Sequence, residues 1–536
     1  MCKFLKYDTP CRIPTTISQS EVKQNEDGTA NLCIPAYSCA FQVDALERVA
    51  LEVLRLVRSI KNTFAPINRI PPEVLSLIPD YFEDDTDREL IALTHVCRGW
   101  RDAFISRSPL WTNLDFTNID KTRTYIQRSQ CSPFKLYLRD DKVVDDAFAL
   151  MIPHIRRLES LTIDAYKLPS VLGHFRCHTP LLEKLDVSVS ASNNPVLDGT
   201  LFNGDLSSLH ELRICGVITN LPWKNLTNLR VFSLESSSHK YGITQILDFL
   251  EAAPLLDTVS FRCAITGPSD GPPGRIIPLP RLRFLTIHAA PPHSTLLHHL
   301  HIPTGASLTS EFLFSGEESP LAGYLTNGSL NFGNLSHTTA INLLFESNIF
   351  AQFSGPTGSL RVLAFWLDTV PYPAECRTFH SLGPVLSTIE KLVVFKFEDP
   401  GPVELEECPI FRTLSSTSHL RTLVLTDCFY LPFIRALDPD RNPSNLVLCI
   451  NMQELVLYIM CLDHSYVQHV FNMAKNRDSR GAKLWSVTIV DLTDRGPREP
   501  KEMSKLREHV THVEYRGDDT LPPWDDIPGG SGGQSK

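Results

Sequence analysis

Apolar residues first fall into a regular pattern at residues 41–64, where Leu46, Val49, Val53, Val57, Ile60 and Phe64 recur at three- and four-residue intervals. Arg48, Glu52, Arg55 and Lys61 are interspersed, and Asp44 and Glu47 have capping-box spacing. This is the period of one helix face. The stripe spans barely three heptads, short of a sustained coiled coil, so a helix packed on its own chain is the expectation. Ala65 and Pro66 close it, because proline disfavours helix in the residue before it and lacks the N–H that continues the ladder. Residues 1–40, rich in Pro, Ser, Asn and Gln with few large apolar groups, are expected to be disordered.

Residues 65–115 predict a small helical bundle. Pro72 suits the first turn of a helix and Glu73 the positive end of its dipole, with Leu75 and Ile78 on one face. Pro79 should end or kink that helix, and residues 84–87 supply a turn and an N-cap for the next. A second apolar set, Leu90, Leu93, Val96 or Cys97, Trp100 and Phe104, is again helically spaced, with Gly99 marking a break between two short helices. Trp111 reads as core. A module of about fifty residues buries too little surface to be robust alone, so a partner or flanking element is expected.

From about Ile155 the phrase apolar-x-x-apolar-x-apolar returns, starting at Leu158, Leu182, Leu209, Leu229, Leu256, Leu282, Leu360, Ile389, Leu420, Met452 and Leu484. The interval from Leu282 to Leu360 is three ordinary steps long, so two hidden repeats are expected near Leu308 and Ile341. Helix-compatible stretches such as residues 242–252 and 464–476 lie between phrases. Strand then helix, repeated, resembles leucine-rich repeats, though the consensus Asn is mostly missing. The resulting fold class is α + α/β: a helical bundle, then an irregular leucine-rich-repeat solenoid over 116–515 with parallel strands inside and helices outside. A Pro- and Gly-rich acidic tail at 516–536 is expected to be disordered.

Side chains alternate along a strand, so one position per phrase points away from the apolar side. Thr162, Asp186, Arg213, Ser233, Ser260 and Thr286 occupy it early, all small or polar. Ala364, Val393, Val424, Val456 and Thr488 occupy it later and are mostly apolar. The first six are the candidate substrate-binding residues; binding through loops instead is the plainer alternative.

Composition narrows the chemistry. Across 536 residues, 51 Lys and Arg face 61 Asp and Glu, giving a net charge of −10. No basic block marks a nucleic-acid surface. Every apolar run is broken too soon to span a membrane, and residues 1–10 are not a secretory signal. Cytoplasm or nucleus is therefore the expected location. The 14 cysteines include no CxxC pair and read as small buried hydrophobes, and the sequons at Asn225, Asn327 and Asn334 carry no weight there. No Gly-x-Ser-x-Gly elbow, His-Glu-x-x-His or phosphate-cradling loop occurs, and the GPPG at 271–274 is a connection. His293, His298, His299 and His301 read as a surface helix without carboxylate or thiol neighbours to complete a metal site. Cys97 beside His95 is expected to be buried rather than nucleophilic. No catalytic residue, metal or cofactor is expected, and a hydrolase hidden in the repeats is the reading least supported.

The opening Ile70-Pro71-Pro72-Glu73, the centre Val96-Cys97-Arg98-Gly99-Trp100 and the close Pro109-Leu110-Trp111 resemble an F-box in order and spacing. The amphipathic helix ahead of them is similar to the form common in mushroom-forming fungi. The resemblance covers residues 41–114. It implies binding to a Skp-type adaptor and through it a cullin ubiquitin ligase, with Ile70, Pro71, Glu73, Leu75, Ile78, Val96, Cys97 and Trp100 lining the adaptor contact and the repeats holding a protein substrate. Ile70 and Pro79 depart from the family's commoner residues, and Pro79 falls in the far half of the first helix. The alternative is an F-box scaffold or regulatory protein acting outside a ligase.

Overall fold

The computed structural model describes residues 36–75, 77–81, 87–116, 118–139, 144–165, 173–189, 196–197, 199–219, 223–266, 275–288, 294–314, 337–345, 348–356, 358–366, 379, 382–395, 409–426, 431–459, 464–492 and 499–517. Expectations for residues 1–35 and 518–536, for Asp84 and Asp85, for the 271–274 loop and for His293, Asn327 and Asn334 lie outside them. The chain forms two compact units, Met1–Leu110 and Trp111–Lys536.

In the first unit, α1 spans Ala36–Thr63, α2 Pro72–Leu75, α3 Asp87–Thr94 and α4 Arg98–Ser106, with 3-10 turns at Pro66–Arg69 and Ile78–Tyr81. The second turn contains Pro79, whose ring blocks continuation of a regular helix. Leu75, Trp100 and Phe104 form the core, with Ile70, Ile78, Leu93, Cys97 and Leu110 packed against it. The Trp100 and Phe104 rings meet edge to face, their centroids 5.8 Å apart.

Two expectations are corrected in this unit. The α3–α4 break falls at 95–97, not at Gly99: Cys97 is the extended N-cap (φ −158°, ψ 176°). Arg101, from the first turn of α4, donates its Nε to Thr94 O at 3.0 Å and satisfies a carbonyl that the end of α3 leaves open. The second correction concerns α1, which does not pack on its own chain. Every described side chain from 42 to 63 is exposed.

The second unit is built on a 17-stranded sheet. Its first strands are β1 Asn113–Asp115, β2 Phe134–Leu138, β3 Leu158–Ala165 and β4 Lys184–Val189. A two-residue pair, β5 Val196–Leu197 and β7 Ile218–Thr219, flanks β6 Glu211–Cys215. Next come β8 Val231–Gly242 and β9 Thr258–Thr266, then β11 Phe284–His288 and β13 Ser307–Phe314. A second small pair, β10 Ile277–Pro278 with β12 Leu300–His301, lies beside these. The remaining strands are β14 Ala340–Phe345, β15 Asn348–Ser354, β16 Ser359–Trp366, β17 Lys391–Phe395, β18 Thr422–Thr426, β19 Glu454–Ile459, β20 Ser486–Asp491 and β21 His512–Gly517. The last reaches past the expected boundary at 515.

All neighbours in this sheet pair in parallel except β15, which is antiparallel to both β14 and β16. The long interval after Leu282 holds strands at both expected places, Leu308 on β13 stacking in parallel after Leu285 and Ile341 on β14 beside Leu392, but the two are not stacked in succession. β13 pairs directly with β16, and the chain places β15 and then β14 between β16 and β17. The register also shows that Leu360 aligns with Leu308 and Leu285, so Arg361, not Ala364, takes the outward position. The run Leu360-Arg-Val-Leu-Ala-Phe365 fits the repeat phrase in two phases, and the sequence expectation took the wrong one. Two further strands, β1 and β2, extend the sheet N-terminally, and Trp111 at 0% exposure belongs to this unit, its ring edge-on to Tyr125 at 5.0 Å.

The core is one continuous ladder. Leu114, Leu136, Leu161, Leu185, Leu212 and Phe232 stand side by side on successive strands. It continues through Val259, Leu285, Leu308, Leu360, Phe353, Ile341, Leu392, Leu423, Leu455 and Val487. Each of these residues is buried. A one-residue slip would move every one of them to the opposite face, which fixes the register.

What lies behind the ladder changes along the sheet. Helices α5 Ile119–Ser129 and α6 Val144–Met151 lead in, followed by 3-10 turns and the small strand pairs, with α7 Ile243–Ala252 and the five-residue α8 Ser294–His298. Past β17 come α9 Pro409–Ser416, α10 Leu431–Leu437, α11 His464–Ser479 and α12 Glu502–His509. Helices outside every strand is thus an expectation met only at the far end. Among the described residues the connections after β3, β4 and β6 carry 3-10 turns in place of α-helices, and Phe175 and Phe202 on those turns line up with Phe148 of α6.

Candidate functional surfaces

The residues expected at an adaptor contact separate by burial. Leu75 and Trp100 are 4% and 7% exposed and fill the helical core. Ile70, Ile78 and Cys97 are half-buried against it, and Cys97 Sγ lies 3.7 Å from Asn68 Oδ1. Pro71, Glu73 and Val96 are on the surface. Sequence reasoning did not single out the apolar residues that this core leaves outside: Ile67, Val74, Leu77, Tyr81 and Ile91 are all exposed. The signal was present, since Val74, Leu77 and Tyr81 follow helical spacing one position before Leu75 and Ile78.

On the sheet, the six outward residues align into a single row. Thr162 pairs with Asp186, Asp186 with Arg213, Arg213 with Ser233, Ser233 with Ser260 and Ser260 with Thr286. The row is bounded by Asp115 and Tyr137 on one side, and continues through Thr309, Arg361, Gln352 and Asn342 to Val393, Val424, Val456, Thr488 and Glu514. At its polar end an open cavity of about 490 Å³ is lined by Tyr137, Thr162, Asp186, Lys184, His210 and Glu211 among others.

Charge there is partly paired. Glu211 Oε1 lies 3.0 Å from Lys184 Nζ and 2.8 Å from Arg213 Nε. Asp186 has neither a hydrogen bond nor an ion pair among the described residues. Burial pushes its carboxyl above the usual carboxylate range, against the pull of Arg213 and Lys184. A half-buried carboxylate beside an open cavity favours a cation or a hydrogen-bond donor brought by a partner.

Beyond Asn342 the row is apolar at Val393, which is buried, and at the half-buried Val424 and Val456, and polar again at Thr488 and the exposed Glu514. Val393 and Phe395 form a buried cluster with Leu344 and Val424 against them.

Residues 67–117 match the family model described as F-box-like. This segment is an F-box-like domain. No curated protein matches the chain. An F-box-like domain implies a Skp-type partner and suggests a role in ubiquitin-ligase substrate recognition. Its core residues Leu75, Trp100 and Phe104 hold the fold, while the apolar Val74, Leu77, Ile91 and Val96 are exposed.

The chemistry-bearing side chains outside these surfaces have structural surroundings. His299 is buried, its Nδ1 2.8 Å from Arg275 O, which corrects the expected surface helix. Of the six cysteines whose side chains are described, Cys263 and Cys449 are buried, three are half-buried and Cys131 is exposed, so buried hydrophobe is not their uniform role. Among the described residues no three His, Cys, Asp or Glu side chains gather as a metal site, and no helix is long and apolar enough to cross a membrane. Asn225 donates its amide to Gly204 O at 2.7 Å.

Proposed function

We propose that this chain is the substrate-recognition adaptor of a Skp–cullin–F-box ubiquitin ligase. The F-box-like domain docks a Skp-type adaptor, and the sheet unit, read as an irregular leucine-rich-repeat array, holds a protein substrate while ubiquitin transfer proceeds on other subunits. The observation that carries this reading is the F-box-like match at 67–117 on helices whose core is closed by their own residues. Val74, Leu77, Ile91 and Val96 remain outside that core. Apolar side chains left in water on so small a module are stabilised when a partner covers them. On the sheet unit, the polar row around Asp186 and Arg213 is the substrate surface.

The test is co-purification of the full chain with a Skp-type adaptor. Val74→Asp with Leu77→Asp should weaken binding about tenfold or more while leaving the fold intact, since both side chains are exposed. Leu75→Asp, by contrast, places a charge in the core and unfolds the domain. A folded wild-type chain that does not bind the adaptor overturns the reading. Adaptor binding without a co-purifying cullin would move the protein to the scaffold alternative.

A further inference from the structure

The 28-residue α1 is the most apolar exposed surface of the first unit. Val43, Leu46, Val49, Val53, Leu56, Val57 and Ile60 are each more than half exposed on it. A surface helix of a lone chain buries such a stripe, and a stripe left open marks a contact.

The positions say which contact. With Leu46 as the first heptad position, Leu46, Val53 and Ile60 fall at a and Val49, Leu56 and Thr63 at d, a seam at alternating three- and four-residue steps. Six charged residues, Asp44, Glu47, Arg48, Arg55, Arg58 and Lys61, all fall at the outer b, c and f positions. Only Glu52 lies beside the seam, at g, where it pairs with Arg55 of the same helix. The seam is therefore free of charge along its length, and an identical helix offers the matching seam. A lipid surface fits less well. The polar side mixes Asp44, Glu47 and Glu52 with Arg48, Arg55, Arg58 and Lys61, where a membrane-lying helix carries a basic face. β-branched Val53 and Ile60 at a with Leu56 at d favour two strands.

We propose that α1 is a self-association element that pairs with α1 of a second copy of this chain, so that the F-box-like domain is presented at least in duplicate. This does not rest on the ligase reading: it stands or falls on the oligomeric state of the isolated protein.

The experiment is sedimentation equilibrium of the full chain at tens of micromolar. Wild type should show at least twice its 60.2 kDa monomer mass. Val53→Asp with Leu56→Asp should return it to the monomer mass with an unchanged melting transition of the sheet unit, and Arg58→Asp at an outer position should leave the assembly intact. A monomeric wild type overturns the proposal, whether its α1 seam is covered by another protein or by lipid. So does a Val53→Asp, Leu56→Asp variant that keeps the assembled mass, because another surface would then be responsible.

Discussion

The first nine strands of the main sheet and its last five share one buried ladder but differ on both sides of it. From β1 to β13 the outward row is mostly charged, hydroxylic or small, and helices behind the ladder alternate with 3-10 turns, where Phe148 of α6 lines up with Phe175 and Phe202. From β17 to β21 the outward row is three Val residues, Val393, Val424 and Val456, followed by Thr488 and Glu514, and helices α9 to α12 stand behind. The inward apolar phrase specifies strand and register, and leaves the connection free to be whatever fills the gap. Where the connection carries a 3-10 turn a large ring such as Phe175 or Phe202 fills the gap, and where it carries an α-helix the helix face does.

The Phe row is the strongest point at which to break that contrast. Phe148, Phe175 and Phe202 stand in line, with centroids 5.3 Å apart for the first pair and 5.8 Å for the second, and all three have 0% exposure. Phe175 sits on a 3-10 turn of three residues, so no helix can collapse into the hole its ring would leave. Phe175→Ala is expected to cost about 3–5 kcal/mol in urea unfolding. A loss well under 1 kcal/mol would mean that the short connections carry little of the core, and the contrast would lose its energetic content.

The sequence made the ladder legible because an inward apolar residue recurs with period two inside each phrase and survives a change of connection. It also made the outward row legible: Thr162, Asp186, Arg213, Ser233, Ser260 and Thr286 align as the alternation requires. The insertion was not legible. Ile341 lies in a strand as expected, but nothing local in its sequence says that β15 will run backwards between it and β16; strand order is decided by which edges meet, not by composition. In the F-box-like domain the helical period placed Leu75 and Trp100 in two separate apolar sets, which the fold brings together in one core. Periodicity does not say whether such a set faces its own core or a partner, and here it faces the core. For α1 the same period is present, yet every described side chain from 42 to 63 is exposed.

A second way to sharpen the contrast lies where the row turns from polar to apolar. Asn342 on β14 is 1% exposed, and neither end of its amide has a hydrogen-bond partner. Its neighbour in register on β17 is Val393, fully buried. A buried amide without partners costs about 1–3 kcal/mol, and Leu keeps its branched shape with two methyl groups in place of the amide oxygen and nitrogen. Asn342→Leu is therefore expected to stabilise the unit by about 1–2 kcal/mol in thermal melting. A destabilised variant would show that the amide is satisfied in solution and that the polar surface reaches as far as β14.

The smallest effect concerns two tyrosines that the regions treat differently. Tyr515 on β21 donates its hydroxyl to Asp491 Oδ2 at 2.7 Å, on a half-exposed edge. Tyr241 on β8 is buried and donates to Val217 O at 3.1 Å. Burial, with the Cys263 thiol as a lesser cause, pushes the Tyr241 phenol up to about 12 from an ordinary 10. Between those values the unfolded chain has released the proton and the folded chain still holds it. The folded state therefore binds more protons there, and stability falls as pH rises from about 10 to about 12, by at most about 1.4 kcal/mol per pH unit. Below pH 10 this group contributes no slope. Tyr241→Phe should cost about 1 kcal/mol at neutral pH through the lost hydrogen bond, then lose less than wild type in urea unfolding from pH 10 upward, so that the two curves converge. Parallel curves for wild type and Tyr241→Phe would show that the hydroxyl is hydrated, and that the first region's core is more open at β8 than its ladder implies.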